Sequence, residues 1–312
     1  MERKVLIAID GSNQSLRAVR YVGRTFGPVR DFGADLLHLI KGPPPFLVQE
    51  SRTDPHALAR LKTLQSKIRR QAEDYLTQAK EEAVRSGIAE ENVTLRQVEI
   101  KTGLAKDIVF EAQNGLYDAL VLGRRGLGRV QEMFMGSVSS QCVELAKSVP
   151  VWLVDGQVES NKVLLALDGS EDSFRAVDHV GFILARHSEM ETTLVHVSTS
   201  LAAYCSLEED EELAKIQEEL LKKEEDYCLT NYFGRAIKML TEAGVERSRI
   251  QVNFIPKSVE LARTILKEAR EGGFGTIVVG RRGITGLKGL LLGSVSNRII
   301  QGGRDLAVWV IS

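Results

Sequence analysis

The chain repeats itself once, over nearly its whole length. Residues 5–23 read VLIAIDGSNQSLRAVRYVG and residues 163–181 read VLLALDGSEDSFRAVDHVG, with twelve of nineteen positions identical. A second matching pair, GRRGLGRVQEMFMGSVS at 123–139 and GRRGITGLKGLLLGSVS at 280–296, follows at nearly the same separation. So long a period indicates a duplicated domain rather than a short solenoid repeat. The chain is therefore expected to fold as two copies of one domain.

Within each half, short apolar runs alternate with amphipathic stretches. The predicted strands are 5–9, 35–40, 93–100, 119–122 and 151–154, and then 163–167, 192–197, 250–255, 276–279 and 307–311. Continuous apolar runs such as Val5–Ile9 are typical of strands buried on both faces. Strands alternating with helices predict an α/β fold with helices on both sides of a parallel sheet. We predict two tandem doubly wound five-stranded domains, residues 1–156 and 157–312.

The charge balance and the cysteines limit the partners and the compartment. The 312 residues carry 41 Lys and Arg against 42 Asp and Glu, for a net charge of −1. This balance gives no reason to expect nucleic acid or a membrane as a partner. No apolar run reaches 18 residues, and the first apolar run is too short for a signal peptide. Three cysteines without metal-type spacing (Cys142, Cys205 and Cys228) indicate free thiols, and we predict a cytoplasmic protein.

The loop after the fourth strand carries the same glycine pattern in both halves. The pattern is Gly-x2-Gly-x9-Gly-Ser, at Gly123, Gly126, Gly136 and Ser137, and again at Gly280, Gly283, Gly293 and Ser294. Glycine lets backbone amides approach a phosphate without a Cβ in the way. Each serine stands where a helix begins, and the free amides of a helix start attract anions. The repeated spacing favours a phosphate-binding loop over a turn that only packs helix against strand.

An Asp-Gly-Ser sequence follows the first strand of each half, at Asp10 and Asp168. Ligands of open α/β sheets bind at this edge, where neighbouring strands send their connections to opposite faces. The aspartate either accepts a hydrogen bond from a base or a ribose, or caps its own turn, and the residues alone leave both roles open. His38 and His196 share one buried strand position, for which packing is favoured over catalysis.

These motifs resemble those of the universal stress protein family, in both halves and over nearly the whole chain. The residues that carry the resemblance are the apolar strand before Asp-Gly-Ser, the strand ending Leu-x-His-x, and the glycine pattern, which marks the ATP-binding branch of the family. The resemblance implies a tandem two-domain protein with strand order 3-2-1-4-5 in each domain. It also implies ATP or AMP as the ligand, with Mg²⁺ possible beside a triphosphate, and a role as a stress-response regulator or sensor.

Carried over by position, the resemblance implies a set of nucleotide-binding residues. Asp10 and Asp168 are expected at the adenosine end, and the backbone of Leu39 and Val197 at adenine. Ribose and phosphates are assigned to Gly123, Gly126, Gly136, Ser137, Val138, Gly280, Gly283, Gly293, Ser294 and Val295. The family pattern often has a further glycine in the loop, which Gly286 supplies and Arg129 replaces. Gly103 follows the third strand as in the family, and Ser258 is taken as its counterpart. The loop arginines, Arg124, Arg125, Arg281 and Arg282, are expected either at phosphate or in solvent.

The sequence lacks the motifs of an efficient phosphoryl-transfer or hydrolytic enzyme. It contains no Gly-x4-Gly-Lys-Ser/Thr loop, no His-Glu-x-x-His and no Gly-x-Ser-x-Gly. We therefore predict a binding protein with no catalytic residue and no resident metal. One alternative is a slow ATPase or an adenylate-transferring enzyme of the adenine-nucleotide α-hydrolase-like group. Another is a nucleotide-free interaction module on the same scaffold.

The last strand of each half is expected to pair with another sheet edge. In the family this strand lies at a sheet edge and commonly pairs antiparallel with its counterpart in another subunit. The counterparts here are Val151–Val154 and Val308–Ile311, both short, apolar and β-branched, and such exposed edges associate unless they are covered. Because both belong to one chain, they meet at high effective concentration. We predict an intrachain pseudo-dimer through these strands, related by a pseudo-two-fold axis, with a further homo-oligomer left open.

Overall fold

The computed structural model describes residues 3–27, 29, 32–124, 136–187, 189–199, 211–283 and 292–312. The chain divides into two compact units, Met1–Val149 and Pro150–Ser312. The division falls before the strand that the sequence assigns to the end of the first domain, so Val151–Val154 lies in the second unit. None of the described helices is both long enough and apolar enough to cross a membrane.

The first unit is a parallel sheet with helical crossovers. Its elements are β1 (Arg3–Ala8), α1 (Asn13–Phe26), β2 (Phe32–Ile40), α2 (Pro45–Glu50), α3 (Pro55–Arg85), β3 (Val93–Glu99), α4 (Leu104–Asn114), β4 (Ala119–Gly123) and α5 (Ser137–Leu145). The strands lie in the order β3-β2-β1-β4, and every pair is parallel. The central strand β1 places Val5, Leu6 and Ile7 fully out of solvent, which is why it reads as a continuous apolar run.

The second unit repeats this plan with all five of its own strands. Its elements are β5 (Val151–Val154), β6 (Lys162–Ala166), α6 (Glu171–Leu184), β7 (Glu191–Thr199), α7 (Glu211–Tyr227), a π-helical turn (Cys228–Phe233), α8 (Gly234–Glu242), β8 (Ile250–Ser258), α9 (Leu261–Glu271), β9 (Thr276–Gly280), α10 (Ser294–Gly302) and β10 (Ala307–Ile311). The order β8-β7-β6-β9-β10 is parallel throughout and corresponds to the predicted 3-2-1-4-5. The predicted fold class, two tandem doubly wound α/β domains, is confirmed.

Serine caps set the first helix of each unit. The Ser12 hydroxyl accepts a hydrogen bond from the Ser15 amide at 3.2 Å, and Ser170 does the same for the Ser173 amide at 3.2 Å. Each bond satisfies an amide that a helix start would otherwise leave without a partner, and such caps contribute about 1 kcal/mol. These helices therefore begin directly after the Asp-Gly-Ser turns, as the sequence predicts.

Strand β5 joins the second unit by pairing antiparallel with β10. In this register Trp152 lies opposite Trp309, and their rings stack with centroids 4.1 Å apart and planes 8° from parallel. His179 of α6 meets both indoles edge-on, and its Nε2 accepts a hydrogen bond from Trp152 Nε1 at 3.2 Å. Burial lowers the pKa of His179 to about 3, because a charged imidazole would lose its hydration there. His179 is therefore neutral where it contacts the two tryptophans.

Candidate functional site

The Asp-Gly-Ser turns lie at the carboxyl end of the first strand of each unit, and their aspartates hold the turn. Asp10 Oδ1 accepts a hydrogen bond from the Ser12 amide at 3.0 Å. Asp168 Oδ1 accepts from both the amide and the hydroxyl of Ser170, at 3.0 and 2.6 Å. The turn-capping role is therefore present in both units. The hydrogen bonds to Oδ1 fix the orientation of each carboxylate at the sheet edge.

A tyrosine packs on the glycine of each turn, and sequence reasoning missed both tyrosines. Gly11 and Gly169 have φ of +78° and +80°, in the region that favours glycine. A Cβ on Gly11 would lie 2.5 Å from the Tyr75 ring, and one on Gly169 would lie 2.4 Å from the Tyr232 ring. The two tyrosines are 157 residues apart, the same separation as the glycine loops. That spacing was the available signal.

The strand histidines are packed and hydrogen-bonded in both units. His38 Nδ1 lies 2.7 Å from the Ile9 carbonyl oxygen, and His196 Nδ1 lies 2.7 Å from that of Leu167. A carbonyl only accepts, so each Nδ1 carries the proton and donates. Each ring also contacts the tyrosine of its unit at 5.5 Å between centroids. Each histidine therefore links the residue just after the first strand of its unit to the helical segment that carries the tyrosine.

The second unit contains a cavity of about 620 Å³ at this sheet edge. This volume lies within the range of small-molecule sites. All seven residues predicted for the second half line it, namely Asp168, Val197, Gly280, Gly283, Gly293, Ser294 and Val295. Residues after β6, in β7, at the end of β9 and at the start of α10 thus meet around one space. Gly286 lies outside the described residues.

In the first unit the predicted residues occupy the corresponding elements. Asp10 follows β1, Leu39 lies in β2, Gly123 ends β4, and Gly136, Ser137 and Val138 form the start of α5. Gly126, Arg125 and Arg129 lie outside the described residues, so the first loop is described at its two ends only.

The glycines at the ends of β4 and β9 are required by close packing. A Cβ on Gly123 would lie 2.8 Å from the backbone of Gln14, and one on Gly280 would lie 2.7 Å from the backbone of Asp172. Real Cβ atoms do not approach so closely, so the strand end passes helix α1 or α6 only as glycine. These two positions thus carry a structural role, whatever they contribute to a ligand.

The start of α10 lines the cavity. Gly293 is the N-cap residue and has no side chain to bond the first-turn amides, while its own amide donates to the Arg281 carbonyl at 2.9 Å. Ser296 Oγ donates to the Gly280 carbonyl at 2.7 Å, which fixes the helix against β9. The residues Ser294 and Val295 line the cavity at this point. The free amides and the dipole of a helix start attract anions in general.

The two arginines of the second loop have different environments. Arg281 is buried, and its guanidinium donates to Ser312 Oγ at 3.4 Å. Arg282 is exposed and lines the cavity, while its amide donates to Asp172 Oδ2 at 3.0 Å. Of this pair, Arg282 is therefore the arginine that lines the cavity. In the first loop Arg124 is buried as well.

The turns before α4 and α9 are built differently. Asp107 accepts hydrogen bonds from Thr102 Oγ1 and from the amides of Lys101, Thr102 and Gly103, and these bonds lower its pKa to about 2. In the second unit Thr264 replaces Asp107, and its hydroxyl lies 2.7 Å from that of Ser258. Gly103 is the N-cap of α4, and the N-cap of α9 is Glu260. Taking Ser258 as the counterpart of Gly103 was therefore wrong, because Gly103 and Glu260 are the equivalent N-caps, each ten residues after the start of its strand.

Neither described cysteine is activated as a nucleophile. Cys142 is fully buried on α5, and burial raises its pKa to about 12. Cys228 lines the cavity, and burial together with the nearby Glu224 carboxylate raises its pKa to about 11. Both are free thiols and stay protonated near neutral pH. The thiols therefore add packing rather than covalent chemistry.

Comparison with known proteins gives consistent results for both halves. The model of the universal stress protein family matches residues 1–155 and 159–304. The universal stress protein YxiE of Bacillus subtilis is 36% identical over 147 residues, which cover 45% of this chain and 92% of that protein. A universal stress protein of Mycolicibacterium smegmatis is 26% identical over 309 residues, 96% of this chain and 94% of its own. The crystal structure of a universal stress protein from Archaeoglobus fulgidus covers 100% of this chain and 99% of its own, with a TM-score of 0.64 and 19% identity, and shares the fold.

Proposed function

The chain belongs to the universal stress protein family, with two copies of the family's domain in tandem, and on this basis we propose that it binds an adenine nucleotide, ATP or AMP. We further propose that it acts in the cytoplasm as a stress-response regulator or sensor, without dedicated catalysis. One observation carries the proposal. The seven second-half residues expected at a nucleotide, from Asp168 to Val295, line a single cavity of about 620 Å³.

The chemistry of the cavity wall suits the parts of a nucleotide. The amides at the start of α10 and the guanidinium of Arg282 supply positive potential for phosphates. Asp168 presents a fixed acceptor at the sheet edge for a ribose hydroxyl. Val197 and Ile265 contribute apolar surface to the lining, which suits a base. Mg²⁺ is proposed only as a companion of a triphosphate.

Substituting valine for Gly293 tests this proposal. A Cβ at Gly293 would lie 3.3 Å from the Arg281 carbonyl oxygen and 3.5 Å from Arg282 Cα, so the fold has room to adjust. The two added methyl groups would stand where the phosphates approach. We expect at least a tenfold loss of ATP affinity at the second site by calorimetry, since each lost charge-assisted hydrogen bond costs about 1.5–3 kcal/mol.

The matched variant is Gly136→Val, at the same position of the first unit. It should weaken only the first site, and the double variant should bind neither equivalent of ATP. Far-UV circular dichroism checks that each variant remains folded. ATP binding by the double variant with wild-type affinity and stoichiometry would show that the loops are structural turns and would remove the proposal.

We also propose that the two domains form an intrachain pseudo-dimer through β5 and β10. The proposal is supported by the antiparallel register of these strands, in which Leu153 lies opposite Val308. Proline at Leu153 removes a backbone donor and disfavours a strand interior. We expect Leu153→Pro to accelerate limited proteolysis near residues 155–160 several-fold and to increase the domain separation measured by small-angle scattering. Unchanged cleavage and an unchanged scattering profile would contradict the pairing of the domains.

A further inference from the structure

The helix that covers the second cavity contains an extra residue. In α3 of the first unit, the fully buried Ala72 and Leu76 are four residues apart. In the second unit the corresponding buried residues, Cys228 and Phe233, are five apart, because the helix passes through a π-helical turn between them. Such turns occur frequently at functional sites. The π turn rotates the preceding part of the helix relative to the residues that follow it.

The change in the helix accompanies a change of residue type beside the cavity. Glu224 stands four residues before Cys228, as Ile68 stands four residues before Ala72. Ser198 follows His196 by two residues, as Ile40 follows His38. Two isoleucines of the first unit are therefore replaced together by a serine and a glutamate. The strand register between β7 and β8 also shifts between Val197 and Thr199, beside the same serine.

The glutamate is held in a defined position. Ser198, which is fully buried, donates through Oγ to Glu224 Oε2 at 2.5 Å. His196 Nε2 lies 3.5 Å from Glu224 Oε1, and because Nδ1 donates to the Leu167 carbonyl, the neutral ring has no proton on Nε2 to donate to this carboxylate. The Glu224 carboxylate lines the cavity with Val197 and Tyr232. A carboxylate has about four acceptor positions, so the hydrogen bond from Ser198 leaves capacity for a ligand.

We propose that Glu224 determines base specificity in the second site by accepting a hydrogen bond from an amino group on the base of the bound nucleotide. This inference rests on the proposed function, since it concerns the same cavity. An ionised carboxylate only accepts, so the edge of the base that faces it must donate. The amino group of adenine donates, whereas a purine with hydrogen at that position does not. The first site, with Ile40 and Ile68 at these positions, is expected to be indifferent to the amino group.

The experiment compares ATP with purine riboside 5′-triphosphate, which has hydrogen in place of the amino group. Affinities are measured by calorimetry in a Gly136→Val background, so that the second site alone is read. The second site should bind ATP at least about tenfold more tightly than the analogue, because hydrogen bonds to charged groups are the strong ones. Glu224→Ile, which installs the residue type of the first unit, should bring this ratio close to one.

Glu225→Ile is the matched control, since Glu225 is the exposed neighbour on the same helix. It should keep the preference for ATP, and tryptophan fluorescence verifies that both variants are folded. Equal affinity of the unsubstituted second site for the two triphosphates, or a preference that survives Glu224→Ile, overturns the inference and leaves the proposed function standing. Failure of both triphosphates to bind either site overturns the inference together with the proposed function.

Discussion

Replacing Trp309 with alanine should lower the free energy of unfolding of the second unit by about 3–5 kcal/mol. The Trp309 side chain has no exposed surface, and it stacks on Trp152 at 4.1 Å between ring centroids. Its removal leaves a cavity between the strand pair and His179, and the stacked arrangement adds its own contribution beyond area burial. Denaturant unfolding followed by fluorescence measures the effect as a lower midpoint with little change in slope.

The chain has two tryptophans, and both belong to this stack, so the fluorescence reports on the β5 and β10 pair alone. Trp309→Phe is the control, because an aromatic ring of smaller size keeps part of the stacking and should lose clearly less stability than alanine. A loss below about 1 kcal/mol for Trp309→Ala would mean that the surroundings collapse into the space or that the stack contributes little.

The parts of the structure that follow from local sequence were predictable. The alternation of apolar runs with amphipathic stretches indicated the α/β class, and the second unit has the expected strand order. The caps at Ser12 and Ser170 followed from residue type and position. The internal repeat of the sequence indicated which positions of the two units are equivalent. A motif that recurs at one separation, such as Asp10 with Asp168, indicates a shared position in two copies of one fold.

The parts that depend on packing between distant segments were not predictable. The sequence predicts that Val151–Val154 pairs with the last strand of the second half, but it places this strand in the first domain, whereas the strand groups with the second unit. The π turn at Cys228–Phe233 also has no local signature, since an acidic helical stretch reads as a solvated face whether or not one residue is added. Glu224 lies in such a stretch, and its sequence surroundings indicate a solvated surface, whereas the structure brings it to the cavity wall. Only a comparison of the buried positions of this helix with those of α3 reveals the added residue.

Lowering the pH should destabilise the second unit through His179. The pKa of His179 falls from 6.5 to about 3 on folding, with burial as the cause. Between these values the unfolded chain binds a proton that the folded chain excludes. Stability is therefore full above pH 6.5 and decreases as the pH falls towards 3. Each pKa unit corresponds to about 1.4 kcal/mol, so the loss over the whole window is at most about 5 kcal/mol.

His179→Gln isolates this contribution from the other titrating groups. Glutamine does not titrate, and its side-chain oxygen is able to accept from Trp152 Nε1 in place of the histidine nitrogen. Unfolding midpoints followed by tryptophan fluorescence at pH 7, 6, 5 and 4 should fall more steeply for the wild type than for the variant. Expressed as free energies of unfolding, the difference between the wild type and the variant should grow by up to about 1.4 kcal/mol for each pH unit below 6.5, which is the effect of one bound proton. Parallel curves for the two proteins would show that His179 accepts its proton without disturbing the stack, and that its burial carries no acid sensitivity.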